Sequence, residues 1–225
     1  MLDKAGPAAA NRTPYKPLRE KILVIDQDTS SGLIDRGINC AQDFDCDAAG
    51  DGLDRADALL SLAPDLKSRI NICVEEIVVL QAPADEFDVS HSEPDWRDRI
   101  YISIPKALRT YDLRVVEAVI HESMHLNLTN LESVLALVRS PNAMVYSPWR
   151  DCERPAGGVL HGLYVFTCVL SYFTNFLLPL EHDQDRHRFI SNRIAEIEND
   201  MRSVNLEYLC QCLTGPGKNL VENLS

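Results

Sequence analysis

The sequence predicts an α+β fold that is mainly helical, with a short N-terminal strand pair followed by a helical core. Residues 71–80 (NICVEEIVVL) and 99–104 (RIYISI) are rich in β-branched and aromatic side chains, which is typical of strands. From about residue 110 onward, apolar residues recur with helical spacing. One helix of this second part carries a His-Glu-x-x-His pattern, so we expect the active-site helix there.

The first part of the chain is expected to be irregular. Residues 1–19 combine glycine, alanine, prolines and alternating charge, which predicts a flexible tail, so residues 20–225 form a single domain. Residues 21–26 (KILVID) are a short apolar run, either a strand or the start of a buried helix. Residues 27–52 are rich in Asp, Gly and Ser and predict a loop, whereas residues 53–62 have helical spacing.

The second part alternates long helices with one loop. Thr110 or Asp112 is expected to cap a helix that runs to about residue 127. Residues 140–156 predict a loop, and residues 183–213 an amphipathic helix. Residues 155–180 contain no Asp, Glu, Lys or Arg, so they form either a membrane span or a core helix. We favour the core helix, because several polar side chains interrupt the segment.

Composition excludes some classes of function. The chain has 22 Lys and Arg against 34 Asp and Glu, a net charge of −12. A negative field repels nucleic acid and anionic membranes, so neither is expected as a partner. The seven cysteines show no Cys-x-x-Cys pair and are interpreted as reduced thiols. Because the N-terminus has no apolar signal-peptide segment, a cytoplasmic location is expected.

The motif that carries chemistry is His121-Glu122-Ser123-Met124-His125, an HExxH sequence on a predicted helix. Four residues of helix turn about 400° and rise about 6 Å, so both imidazoles lie on one face, where they can bind one metal ion. The alternative is a pair of histidines without a metal. Glu122 lies one residue further round the helix, within reach of a metal-bound water.

A catalytic ion needs a third protein ligand. Leu128 and Leu131 occupy the positions where a metzincin has glycine and histidine, so that class is excluded. Another type of zinc peptidase would use a later glutamate, for which the candidates are Glu132, Glu153 and Glu181. His161 in the apolar segment is a further candidate, and its alternative is a neutral core histidine bonded to a carbonyl.

The predicted loop contains the sequence SPWRDCERP over residues 147–155. Arg150 and Arg154 suggest capture of a carboxylate by a bidentate guanidinium. The alternative is an ordinary ion-paired loop, with either arginine bound to Asp151 or Glu153.

The ordered combination His-Glu-x-x-His, Pro-Trp-Arg, Arg-Pro, two glycines and Leu-His-Gly resembles the HExxH-type 2-oxoglutarate-dependent peptide β-hydroxylases. These enzymes are associated with the maturation of ribosomally made peptides in bacteria. The resemblance covers roughly residues 117–166. The matching residues are His121, Glu122, His125, Pro148, Trp149, Arg150, Arg154, Pro155, Gly158, Leu160, His161 and Gly162.

The resemblance implies an oxygenase that uses Fe(II), 2-oxoglutarate and O₂ to hydroxylate a side-chain β-carbon of a ribosomally synthesised precursor peptide. The implied metal ligands are His121, His125 and His161, and Glu122 would orient a ligand or the substrate. The implied cosubstrate-binding residues are Trp149, Arg150 and Arg154. Two alternatives stay open: a zinc metallopeptidase with Glu122 as general base, and a non-catalytic partner in a peptide-maturation complex.

Overall fold

The computed structural model describes residues 15–34, 36–41, 44–84, 87–93, 95–105 and 109–224. The predicted class, α+β and mainly helical, is confirmed, because helices dominate and two small sheets accompany them. The described helices are α1 Gln27–Ile34, α2 Cys46–Leu60, α3 Pro64–Cys73, α4 Tyr111–Glu132, α5 Ala156–Tyr172, α6 Gln184–Arg202, α7 Leu206–Cys212 and α8 Gly215–Leu224. The described strands are β1 Glu76–Leu80, β2 Ser90–Ser92, β3 Arg99–Ser103, β4 Met144–Ser147 and β5 Cys152–Pro155.

The predicted strand pair, β1 and β3, belongs to a three-stranded sheet with the order β1-β3-β2. β1 and β3 are parallel, with Ile77 opposite Ile100, and β2 pairs antiparallel with β3. Both parallel strands are buried along almost their whole length, which explains why their sequences are apolar without alternation. Residues 71–73, expected in the first strand, are instead the last turn of α3.

Helices α4 and α5 form the centre of the molecule. α4 packs against α2, α3, α5, β2 and β3, while α5 also contacts α6, α7, α8 and the β4–β5 sheet. Because neighbours surround α5, its apolar side chains are buried on several sides, for example Val159, Leu160 and Val169, which have no exposed surface. By length and composition alone, residues 156–180 are also long and apolar enough to cross a membrane.

The tail and loop predictions near the N-terminus need correction. Residues 1–14 lie outside the described part of the chain, but Leu18 is only 2% exposed and belongs to the core. Tyr15 donates a hydrogen bond to the Asp57 carboxylate of α2. The predicted tail boundary at residue 19 is therefore too far along the chain. The run 21–26 is neither a strand nor the start of a buried helix. Its first residue ends a 3-10 turn, Leu18–Lys21, and Ile22 forms one bridge to β1.

Residues 27–52, predicted to be a loop, contain α1 and the first half of α2. Asp45 begins α2 because its carboxylate accepts hydrogen bonds from the backbone N–H groups of residues 47 and 48. Three further aspartates on α2 form ion pairs with Arg19, at 2.8–3.1 Å. Asp45 is thus a helix cap, and Asp47, Asp51 and Asp54 lie on the face of α2 that contacts Arg19.

Two predictions in the C-terminal half are also corrected. The predicted helix over residues 183–213 is two helices, α6 and α7, because the Asn205 side chain accepts a hydrogen bond from the Tyr208 N–H and starts a new helix. The predicted loop over residues 140–156 is a β-hairpin formed by β4 and β5, in which Val145 lies opposite Arg154. This hairpin packs against α5 and contributes one wall of the candidate active site.

Candidate active site

The two histidines of the HExxH motif lie on one face of α4, as their spacing predicts. The Nε2 atoms of His121 and His125 are 3.3 Å apart, and both side chains are half-buried. Two nitrogens bound to one ion at about 2.1 Å each lie about 3.0–3.4 Å apart, for ligand angles between octahedral and tetrahedral. The pair therefore has the separation that a shared metal ion requires.

His161 of α5 lies directly beside this pair. Its ring stacks on that of His125, with centroids 5.4 Å apart and an angle of 17° between the planes. The two Nδ1 atoms are 3.2 Å apart. On the other side of the ring, His161 Nε2 is 2.9 Å from the Glu132 carboxylate. The packing of α4 against α5 thus brings three imidazoles and one carboxylate into a continuous row.

The row also explains how the histidines satisfy one another. If Glu132 accepts a hydrogen bond from His161 Nε2–H, His161 Nδ1 is an acceptor, and His125 Nδ1–H donates to it. His125 then faces His161 with one nitrogen and His121 with the other. Consequently, among the described residues no three His, Cys, Asp or Glu side chains converge on a single metal position. One ion bound by all three imidazoles would require the His125 or His161 ring to reorient.

Burial keeps the imidazoles of His121 and His125 neutral. Burial is the largest cause of the low pKa of His125, and the positive charges that His121, His161, Arg150 and Arg154 would place nearby lower it further. The pKa of His121 is also lowered, again mainly by burial. A neutral imidazole keeps a lone pair on one nitrogen, which is the form that binds a metal ion.

Glu122 faces the three-stranded sheet. It is 3% exposed, and its Oε1 accepts a 2.6 Å hydrogen bond from the Ser90 hydroxyl of β2. The same oxygen is 3.9 Å from His121 Nε2. Glu122 therefore connects the face of α4 that carries the HExxH histidines to the strand at the edge of the sheet.

The three glutamates proposed as an alternative third ligand have different surroundings. Glu132 contacts His161. Glu153 is exposed on β5, and Glu181 accepts a 2.7 Å hydrogen bond from Arg186 Nε. Of these glutamates, the structure brings only Glu132 to the histidines.

The Pro-Trp-Arg sequence forms the tip of the β4–β5 hairpin. Residues 148–151 connect the strands, and the Arg150 N–H donates to the Ser147 carbonyl at 3.2 Å. Asp151 adopts a positive φ of 48°, which aspartate tolerates better than most residues, and accepts a hydrogen bond from the Tyr146 hydroxyl. The sequence signal for this hairpin, a Pro- and Asp-containing turn between short strands, was available but weak.

The hairpin tip lies across α5 at Gly162. A Cβ atom at this position would be 2.6 Å from the Trp149 ring, so a side chain here would displace the indole. Trp149 stacks on Phe166 with ring centroids 5.2 Å apart, and the centroids of the Phe166 and His121 rings are 5.0 Å apart. This aromatic contact joins the hairpin to the HExxH helix, which explains the glycine at residue 162.

A cavity of about 160 Å³ lies between the hairpin, α4 and α5. Its lining residues are His121, His125, Ser147, Trp149, Arg150, Arg154, Gly158, Gly162 and Phe166. The predicted alternative, in which the arginines pair with Asp151 or Glu153, is not observed: within the described ranges neither guanidinium forms an ion pair. The Trp149 Nε1–H is buried and has no partner among the same residues. The cavity wall thus offers unused hydrogen-bond donors.

A second, larger cleft of about 530 Å³ shares His121 and Phe166 with this cavity. Its remaining lining residues are Asp88, Ser90, Thr110, Arg114, Glu117, Ala118, Phe189 and Arg193. Its charged side chains form two ion pairs, Arg114 with Asp88 at 2.5 Å and Arg193 with Glu117 at 2.7 Å. The sequence does not reveal this cleft, since its residues come from four separate parts of the chain.

A comparison of the chain with models of protein families finds no match. A comparison with curated proteins likewise finds none.

Proposed function

We propose that this protein is an Fe(II)- and 2-oxoglutarate-dependent oxygenase that hydroxylates a side-chain β-carbon of a ribosomally synthesised peptide. The observation that carries the proposal is the 160 Å³ cavity beside the HExxH histidines, whose wall contains Arg150 and Arg154 without acidic partners among the described residues. The peptide substrate and the β-carbon rest on the resemblance of residues 117–166 to the peptide β-hydroxylases.

The cavity residues suit a small dicarboxylate. A guanidinium binds a carboxylate through two parallel hydrogen bonds, and an arginine that lacks a protein partner can provide both. The buried Trp149 N–H would gain an acceptor if such a ligand were bound. A volume of about 160 Å³ suits a small metabolite.

The donor set at the other end of the cavity suits Fe(II). His121 and His125 would hold the ion, and His161 would complete the set after a ring reorientation. Glu132 supports this role, because a carboxylate that accepts from His161 Nε2–H leaves Nδ1 unprotonated for the metal. Fe(II) that carries 2-oxoglutarate supplies the activation of O₂ for insertion of one oxygen atom into a C–H bond. The contribution of the chain is to supply neutral imidazoles, orient them and hold the dicarboxylate.

The proposal is tested by titrating 2-oxoglutarate into the anaerobic Fe(II)-loaded protein and following the visible charge-transfer band of the chelate. Arg154→Ala removes one carboxylate fork, so we expect the dissociation constant for 2-oxoglutarate to rise about 10- to 100-fold. Arg202→Ala is the control. Arg202 is exposed, and its ion pair with Glu198 is long, at 3.9 Å between nitrogen and oxygen.

The possible outcomes separate the hypotheses. An unchanged constant for Arg154→Ala together with a raised one for Arg150→Ala would transfer the carboxylate contact to Arg150. Unchanged constants for both would contradict the dicarboxylate site. Stoichiometric zinc in the purified protein, with no succinate formed after Fe(II) loading, would favour the zinc peptidase, in which Glu122 is the general base.

A further inference from the structure

We propose that the peptide substrate binds as an additional β-strand along the free edge of β2, with its target side chain in the 530 Å³ cleft next to His121. This inference rests on the proposed function, because it places the substrate of that reaction. It follows from three features of the structure: an unpaired strand edge, the position of the cleft and the charges of the cleft.

The first feature is the strand edge. In the order β1-β3-β2, β2 is one of the two outer strands. The Val89 carbonyl accepts a hydrogen bond from the Ser103 N–H at 2.8 Å, and the Val89 N–H donates to the Ser103 hydroxyl. The backbone of Val89 therefore faces β3, and the direction alternates along an antiparallel strand. Ser90 and Ser92 consequently direct their backbone N–H and C=O groups away from β3.

These outward groups have no backbone partner elsewhere in the described ranges. All three residues of β2 are half-buried, so each keeps part of its surface exposed. Exposed N–H and C=O groups in a row are a template for an extended peptide, which would lie about 4.8 Å away and form main-chain hydrogen bonds. A strand edge recognises an extended backbone and depends little on the side chains of the peptide.

The second feature is the position of the cleft beside this edge. Asp88 and Ser90 are two residues apart and both line the cleft, which also contains His121. The Ser90 hydroxyl is bonded to Glu122, one residue from His121. A peptide on the β2 edge would therefore run past the metal-binding face of α4. The 160 Å³ cavity opens on the same histidine from the hairpin side, so the two ligands would approach His121 from different directions.

The third feature is the charge of the cleft. Asp88 and Glu117 are each paired with an arginine, so the charged groups of the wall compensate each other. Phe166 and Phe189 contribute aromatic surface. A cleft with internal ion pairs and aromatic walls favours an uncharged target side chain, because a charged one would compete with existing pairs or remain unpaired.

The experiment uses peptide binding to the intact chain loaded anaerobically with Fe(II) and 2-oxoglutarate. The probe is a pool of synthetic decapeptides with randomised uncharged residues, and the decapeptide retained most strongly on the immobilised protein is resynthesised. Each backbone nitrogen of that decapeptide is then methylated singly. Because strand pairing uses every second N–H, we expect methylation to weaken binding about 3- to 10-fold at alternate positions and to have little effect between them.

The matching change in the protein is Ser92→Pro. Proline removes the outward N–H of Ser92, and an edge strand tolerates it because this N–H does not bond β3. We expect Ser92→Pro to weaken decapeptide binding about 3- to 10-fold, whereas Ser92→Ala, which keeps the N–H, binds within about twofold of the original chain. A melting curve verifies that the proline variant is folded, and the methylated peptides test the edge independently of it.

The outcomes distinguish this inference from the proposed function. A pool from which no peptide is retained, or a methylation series without alternation, would overturn the edge site even if succinate is formed. Alternating binding without any 2-oxoglutarate affinity would support the edge site and contradict the hydroxylase.

Discussion

Substitution of Gly162 by alanine tests the contact that joins the hairpin to α5 and, through Phe166, to the HExxH helix. The added Cβ would be 2.6 Å from the Trp149 ring, about 1 Å closer than van der Waals contact. The indole must therefore move. It is stacked on Phe166, which in turn contacts His121, so the displacement reaches the HExxH histidines. We expect a loss of both stability and 2-oxoglutarate affinity.

The magnitude follows from two opposing effects. Alanine in a helix interior is favoured over glycine by about 0.5–1 kcal/mol. Overpacking against a ring in a close-packed region costs about 1–3 kcal/mol. Gly157→Ala is a suitable control on the same helix, because its Cβ would lie 3.7 Å from Val138, an ordinary contact. Gly162→Ala should be about 1–3 kcal/mol less stable than Gly157→Ala, a Tm difference of several degrees for a chain of this size.

The assay combines urea unfolding, followed by tryptophan fluorescence, with the anaerobic titration of 2-oxoglutarate. We expect Gly162→Ala to weaken 2-oxoglutarate binding by about an order of magnitude, because a wall of its cavity is displaced. Gly157→Ala should bind like the original chain. If both variants unfold at the same urea concentration and bind 2-oxoglutarate equally well, the proposed contact between Trp149 and α5 is refuted.

Three further predictions concern the histidines and the two glutamates that contact them. Glu122→Gln should lower the free energy of unfolding by about 1–3 kcal/mol, because the buried hydrogen bond from Ser90 loses its carboxylate acceptor. Coupled succinate formation should persist. Loss of succinate formation with intact Fe(II) binding would contradict a positioning role. Glu132→Ala should weaken Fe(II) binding about 10- to 100-fold, because the His161 ring loses its carboxylate partner. An unchanged Fe(II) affinity in equilibrium dialysis would show that Glu132 does not orient His161 for the metal. Anaerobic Fe(II) at 100 times its dissociation constant should stabilise the chain by about 2.7 kcal/mol and raise its Tm. We expect His125→Ala to abolish this increase in Tm. An equal increase in the original chain and in His125→Ala would place the ion elsewhere.

The parts of the site that sequence analysis predicted are those that depend on local geometry. His121 and His125 are four residues apart, so any α-helix over this segment brings them to one face. A helix was predicted here, and α4 extends from Tyr111 to Glu132. The strand runs were also recognisable, because buried parallel strands have uninterrupted apolar sequences. The expected class, α+β with a helical core, required no knowledge of long-range contacts.

The errors in the fold prediction come from segments in which polar residues form structure. Aspartates of the segment 27–52 suggested a loop, yet Asp45 caps α2 and others on that helix pair with Arg19. Prolines and charges hid the β4–β5 hairpin, since its strands are short and largely exposed. In both cases composition alone does not distinguish a solvated loop from the polar face of a regular element.

The order of residues along this chain determines which side chains are available: two imidazoles in one helical turn, a third in an apolar helix, and a tryptophan followed by two arginines. Their neighbours depend on packing between distant segments. His161 reaches His125 because α5 lies against α4, and Trp149 reaches Gly162 because a hairpin folds over α5. Among the described strands, β2 pairs on one side only, with β3, because it is an outer strand of the sheet. Helix periodicity is a local property of the backbone, whereas these contacts arise from burial of apolar surfaces far apart in the chain, which no short motif encodes.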